Sequence, residues 1–209
     1  MGQVQWARRL LVALPADVWS FSLNPSQEIY RECRSVLSEA EIARVQGVEN
    51  GFVADGFVIR RGTARFILGG LLGICPCDVP IGTGASGKPL VLGSDCDFSV
   101  SSSRDEALFG FRLIGRVGID LEWIDPGFDF RSLASSMFRD GQRVAELNRL
   151  EFFEAWVKVE AFAKALGYGL SEPLEHVADR FTERFDAGDL RVEVLRPEEG
   201  FAGAVVTIH

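Results

Sequence analysis

The chain has 209 residues, 47% hydrophobic and 25% charged, with a formal net charge of -8. That is enough apolar material for one sizeable core or two small ones, and it excludes a disordered chain. The acidic balance argues against non-specific binding to nucleic acid or anionic membranes, although a local basic patch can exist on an acidic whole.

Arg8 and Arg9 precede an apolar run that stops at Pro15, too short for a signal core, and Gly2 lacks the hydroxyl residue at position 6 that myristoylation favours. No stretch is long enough to span a bilayer. Residues 17–23 alternate as a strand does, and Asn24-Pro25-Ser26 breaks them. Ser38 followed by Glu41 is the capping-box pattern at the start of a short helix. Residues 53–72 carry helical periodicity, with Arg61 and Arg65 sharing a face that is either a solvated stripe or an anion-binding edge.

Cys33, Cys75, Cys77 and Cys96 are too few and too scattered for a disulfide framework, which points to a reducing cytoplasm. Cys75-Pro-Cys77 has the spacing of half a metal clip. With no second close pair and only His176 and His209 elsewhere, it is a poor zinc site. The run from Gly82 to Lys88 matches the start of a phosphate-binding loop, but Pro89 stands where the magnesium-binding hydroxyl belongs and no buried strand precedes it. A turn that leaves Lys88 exposed at a cleft edge is the expectation.

Residues 97–104 read as a strand running into a hydroxyl-rich turn, and residues 107–113 and 116–123 as a hairpin across Ile114-Gly115. Within the second of these, Asp120 and Glu122 point to one face between apolar neighbours. Residues 130–148 read as helical. Residues 151–167 form the most informative helix: Trp156, Glu160 and Lys164 recur at i, i+4, flanked by Phe153, Val159, Phe162 and Leu166, and Gly167 stops it. Three carboxylates converging in a packed interior need a cation, and a magnesium site is the reading. The runs 190–195 and 202–208 complete a sheet.

Leu37-Ser-Glu-Ala-Glu41, Arg61 with Arg65, Gly87-Lys-Pro89, Phe98-Ser-Val-Ser-Ser-Ser-Arg-Asp105, Val117-Gly-Ile-Asp-Leu-Glu122 and the helix from Phe152 to Gly167 stand in the order found in the Sfp-type 4'-phosphopantetheinyl transferases, which the chain resembles over residues 37–170. The resemblance implies an α/β (α+β) fold of two similar halves packed as a pseudo-dimer: residues 1–104 on the nucleotide-binding side, residues 105–209 carrying the metal site and catalytic helix. Coenzyme A would lie in the cleft between them, and its phosphopantetheine arm would pass to a serine of an acyl or peptidyl carrier protein. Asp120, Glu122 and Glu160 match the Mg2+ ligands. Glu160 matches the base for the serine hydroxyl, and Lys164 the lysine that stabilises the leaving phosphate. Arg61, Arg65, Lys88, Ser101 and Ser102 fall at nucleotide-side positions. The family precedent is a monomer without nucleic-acid or membrane partners.

Four positions depart from the family pattern. Ser102 replaces a histidine that contacts the 3'-phosphate, a basic residue is missing near Gly56, Val159-Glu160-Ala161 replaces Lys-Glu-Ala with Lys158 about 100° away round the helix, and Gln142 replaces an acidic residue. Either the protein is a transferase with a divergent nucleotide pocket, or the scaffold is inactive or repurposed and binds carrier proteins or acts on carrier-bound intermediates. A nucleotide-free binding module is the third reading. Arginines among residues 131–149, with Met137 and Phe138, are the expected docking patch for an acidic carrier.

Overall fold

Two long helices, each laid against its own antiparallel sheet, organise the chain. The computed structural model describes residues 4–138, 141–168 and 172–208. The first sheet runs β1-β2-β6-β5, formed by β1 (Arg8–Leu10), β2 (Asp17–Ser22), β5 (Asp97–Ser103) and β6 (Glu106–Arg112). Against it lie α1 (Gln27–Ser35), α2 (Glu39–Gln46) and α3 (Gly51–Leu72), and Val58, Ile59, Leu68, Phe98 and Phe109 fill the core between them. The second sheet runs β7-β9-β8, from β7 (Arg116–Trp123), β8 (Leu190–Leu195) and β9 (Phe201–Ile208). It is covered by α4 (Phe130–Met137), α6 (Arg149–Leu166) and α7 (Leu174–Asp186), with Phe152, Val157, Phe162, Ala204 and Val206 between. A third cluster, including Val18, Leu108, Ile119, Leu121 and Val205, lies where the two sheets face each other.

The expected hairpin between residues 107–113 and 116–123 does not form. β6 is central in its sheet, bonded to β2 on one side and β5 on the other, so it has no edge left for β7. The hairpin is instead β5–β6, closed by Arg104 and Asp105, with Arg104 in the left-handed region at φ 53°. The turn at residues 113–115, with Leu113 and Ile114 exposed, carries the chain from one sheet to the other. Residues 1–104 therefore hold all of the first sheet except β6. The helix read over residues 130–148 is two, α4 and α5 (Gly141–Glu146).

Both ends of α6 follow from sequence. Asn148 caps the first turn in a capping box with Glu151, and Gly167, at φ 72°, ends the helix. Its approach to β7 depends on Gly118, where an added Cβ would stand 1.9 Å from the Ala161 carbonyl oxygen and 2.4 Å from the Ala165 nitrogen. Glycine in the strand and alanines on the helix let the two backbones touch. That contact sets Glu160 and Lys164 over Asp120.

The run from Gly82 to Lys88 is a small β-hairpin, β3 (Ile81–Thr83) paired with β4 (Pro89–Val91), with no helix after it to complete a phosphate loop. Among the described residues no helix is long and apolar enough to cross a membrane.

Candidate active site

The site grows from the seam between β5 and β7, which are neighbours without sharing a backbone ladder. At every second position β5 turns a short polar side chain toward β7. Asp97 Oδ2 accepts from the Val117 N–H at 2.8 Å, Ser99 Oγ from Ile119 N–H at 3.2 Å, and Ser103 Oγ from Trp123 N–H at 3.0 Å. These side chains satisfy backbone donors that an unpaired strand edge would leave open. The same row positions the acidic groups: Ser101 donates to Asp120 Oδ1 at 2.8 Å and Ser103 to Glu122 Oε2 at 3.1 Å.

From the other side α6 delivers Trp156, Glu160 and Lys164 into the same space, as their spacing predicts. With Asp120, Glu122, Lys88, Ser101 and Ser102 they line a cleft of about 700 Å³. Asp120 is 3% exposed; its Oδ1 accepts from Lys164 Nζ at 2.5 Å, while its Oδ2 is buried without a hydrogen bond. Lys164 also donates to Ser101 at 2.8 Å. Burial first, and then the charge of Asp120, pushes the Glu122 carboxyl above the usual range; Ser103, Trp156 and Lys164 pull it back in part. Glu160 is raised by the same two causes, opposed by Lys164. Asp120, Glu122 and Glu160 thus bring together more carboxyl groups than Lys164 alone can neutralise.

Lys88 lines the cleft but is not exposed. Its side chain is 17% accessible and donates to Asp97 at 2.6 Å and to the Val117 carbonyl at 2.9 Å, so it braces the seam. Burial lowers its pKa, against the pull of Asp97. Arg65 corrects the expected anion-binding edge. It is buried, with its guanidinium donating to Glu41 at 2.8 Å and to the carbonyls of Pro76, Cys77 and Val79, and it lines neither the cleft nor the adjoining pocket. Glu41, read from sequence only as a capping residue, closes the capping box and also holds Arg61 at 3.3 Å.

Arg61 does reach a ligand-sized space, a pocket of about 360 Å³ that adjoins the cleft through Ser101, Ser102 and Lys164. Arg60, which periodicity did not single out, lines it too and donates to Ser102 Oγ at 3.2 Å. Its Nη1 lies 3.2 Å from where a Cβ on Gly56 would stand. Two of the departures from the family pattern, Gly56 and Ser102, therefore both border the Arg60 guanidinium. Burial first, and Arg44 second, lowers the Arg60 pKa. Val159 is core and Lys158 is absent from the cleft lining; the Gln142 side chain lies outside the described residues. Asp97, Ser99 and Ser103 were also unassigned by sequence, although their every-second-residue spacing is visible there.

The donor set suits a hard divalent cation. It is all oxygen, it is over-supplied with negative charge, and Asp120 Oδ2 is an unfilled acceptor at its floor. The ligand oxygens of Asp120, Glu122 and Glu160 do not all lie within 4.8 Å of one another, so at least one side chain must swing inward to share an ion. The described trio that meets that distance is Cys75, Cys77 and Asp78.

A mixed helix-and-sheet protein with carboxylates and ammonium groups gathered over one cleft, and arginines beside it, has the make-up of an enzyme that handles phosphates. No family model matches the chain. It is 31% identical over 173 residues to the 4'-phosphopantetheinyl transferase HetI of Nostoc sp. (strain PCC 7120 / SAG 25.82 / UTEX 2576), spanning 78% of this chain and 73% of that protein. It is 29% identical over 154 residues to the putative 4'-phosphopantetheinyl transferase slr0495 of Synechocystis sp. (strain ATCC 27184 / PCC 6803 / Kazusa), spanning 69% and 62%. The chain belongs to the 4'-phosphopantetheinyl transferase family, and it is a transferase.

Proposed function

We propose that the protein moves the 4'-phosphopantetheine arm of coenzyme A onto a serine of an acyl or peptidyl carrier protein, with Mg2+ held by Asp120, Glu122 and Glu160. The observation that carries this reading is the unpartnered Oδ2 of Asp120, buried at the floor of the cleft beside two carboxyls of raised pKa. Bound there, magnesium would neutralise the pyrophosphate charge that grows as the bond breaks.

The chain's own residues supply the rest. The Glu160 carboxylate, made more basic by burial and by the charge of Asp120, takes the proton of the serine hydroxyl. The serine Oγ attacks the phosphorus bearing the pantetheine arm, the pyrophosphate P–O bond breaks, and adenosine 3',5'-bisphosphate leaves. Lys164, anchored on Asp120 and Ser101, donates to the oxygen that gains charge. Arg60 and Arg61 bind the nucleotide end in the adjoining pocket, with Arg60 supplying the positive charge that Ser102 lacks. The two similar halves meet at the seam, with the ligand between them.

The test is intact-protein mass spectrometry of apo carrier protein incubated with this protein, magnesium and coenzyme A. A gain of one phosphopantetheine arm that vanishes with EDTA is the expected result. No gain across several carriers, together with no rise in melting temperature on adding coenzyme A, rejects the reading in favour of a repurposed scaffold.

A further inference from the structure

Away from the cleft, the turn from Cys75 to Asp78 has chemistry that the transfer reaction does not use. Both thiols are exposed, and their Sγ atoms stand 2.7 Å apart across a single proline. Two thiolates sharing a tetrahedral cation at about 2.3 Å would sit roughly 3.7 Å apart, so the present spacing is nearer to a sulfur–sulfur bond than to a metal clip. The backbone beneath is already shaped. Asp78 N–H donates to the Cys75 carbonyl at 2.9 Å, and the buried Arg65 guanidinium binds the carbonyls of Pro76, Cys77 and Val79. The turn that brings the two sulfurs together is therefore held from beneath by the buried Arg65.

We infer that Cys75 and Cys77 form a reversible dithiol–disulfide site, oxidised by small-molecule disulfides of the glutathione type. In the first step one cysteine thiolate attacks the small disulfide, forming a mixed disulfide and releasing one small thiolate. The second cysteine, after losing its proton, attacks the protein sulfur of that mixed disulfide and expels the other small thiolate. Two protein thiols lose two electrons and two protons, and the small disulfide becomes two thiols. Both thiols are exposed, so either can attack first and the other resolves. A bridge across one residue closes almost no loop and restrains the unfolded chain little, which makes it exchangeable rather than structural. Cys33 and Cys96 are buried and take no part.

The full-length protein is equilibrated in mixtures of oxidised and reduced glutathione, quenched with a maleimide under native conditions, and weighed intact. The wild type is expected to lose two hydrogens and both native maleimide adducts as the mixture becomes oxidising, and to recover them on reduction. Cys75→Ser and Cys77→Ser should each stop at a single glutathione adduct. Two maleimide adducts on the wild type in a mixture that glutathionylates either variant would overturn the proposal. So would stable glutathione on both cysteines at once.

Discussion

The proposed metal site turns on Asp120, which has one oxygen bound by Lys164 and Ser101 and the other unpartnered. Asp120→Asn keeps the shape but removes the charge, and is expected to lower transfer at least 100-fold while unfolding stays cooperative. A mass assay beside a urea titration reads both. Arg60→Ala should weaken coenzyme A by about 10-fold or more, the scale of a charge-assisted hydrogen bond, and dephospho-coenzyme A less; equal losses would show that Arg60 does not face the terminal phosphate. Asp120, Glu122, Glu160 and Lys164 were legible because a strand's two-residue period and a helix's four-residue step each put them on one face. Arg60 was not. Its role depends on the absence of a side chain at Gly56 and on Ser102 of a different element, and neither shows in the helix's own periodicity.

Element by element, the long helix α6 and its glycine stop were readable from pattern, as were β2, α2 and α3. The pairing of β6 was not, since strand periodicity says which face is buried but not which neighbour takes each edge. The two-sheet seam escaped for a related reason: its rungs are side chains, and Asp97, Ser99 and Ser103 look like ordinary polar positions until β7 is beside them. Two contacts between elements give sharp expectations. Gly118→Ala forces α6 off β7 and should cost about 3 kcal/mol, with transfer falling even below the denaturation midpoint because Glu160 and Lys164 move with the helix. Glu41→Gln preserves a capping side chain but strips the carboxylate from Arg65 and Arg61; leaving a buried guanidinium without its counter-charge should cost roughly 3 kcal/mol in urea denaturation.

For the molecule as a whole, the raised carboxyls of Glu122 and Glu160 make stability depend on pH. A carboxyl whose pKa rises on folding favours the folded state fully below its unfolded value, and that contribution is lost as pH rises through the folded value. Without metal the melting temperature should therefore fall from weakly acidic toward neutral pH, and magnesium should restore it at neutral pH. A profile unmoved by magnesium would count against the shared cation site. The seam carries this further. The serines that join the sheets are bonded to the carboxylates proposed to hold magnesium, so ligands bound there should also help to hold the two sheets together. The exposed Leu113–Ile114 crossing becomes a natural gauge of it: a protease that cuts after Leu113 should work more slowly as coenzyme A and magnesium saturate the protein, so that substrate occupancy is read out as resistance to digestion at a distance from the chemistry.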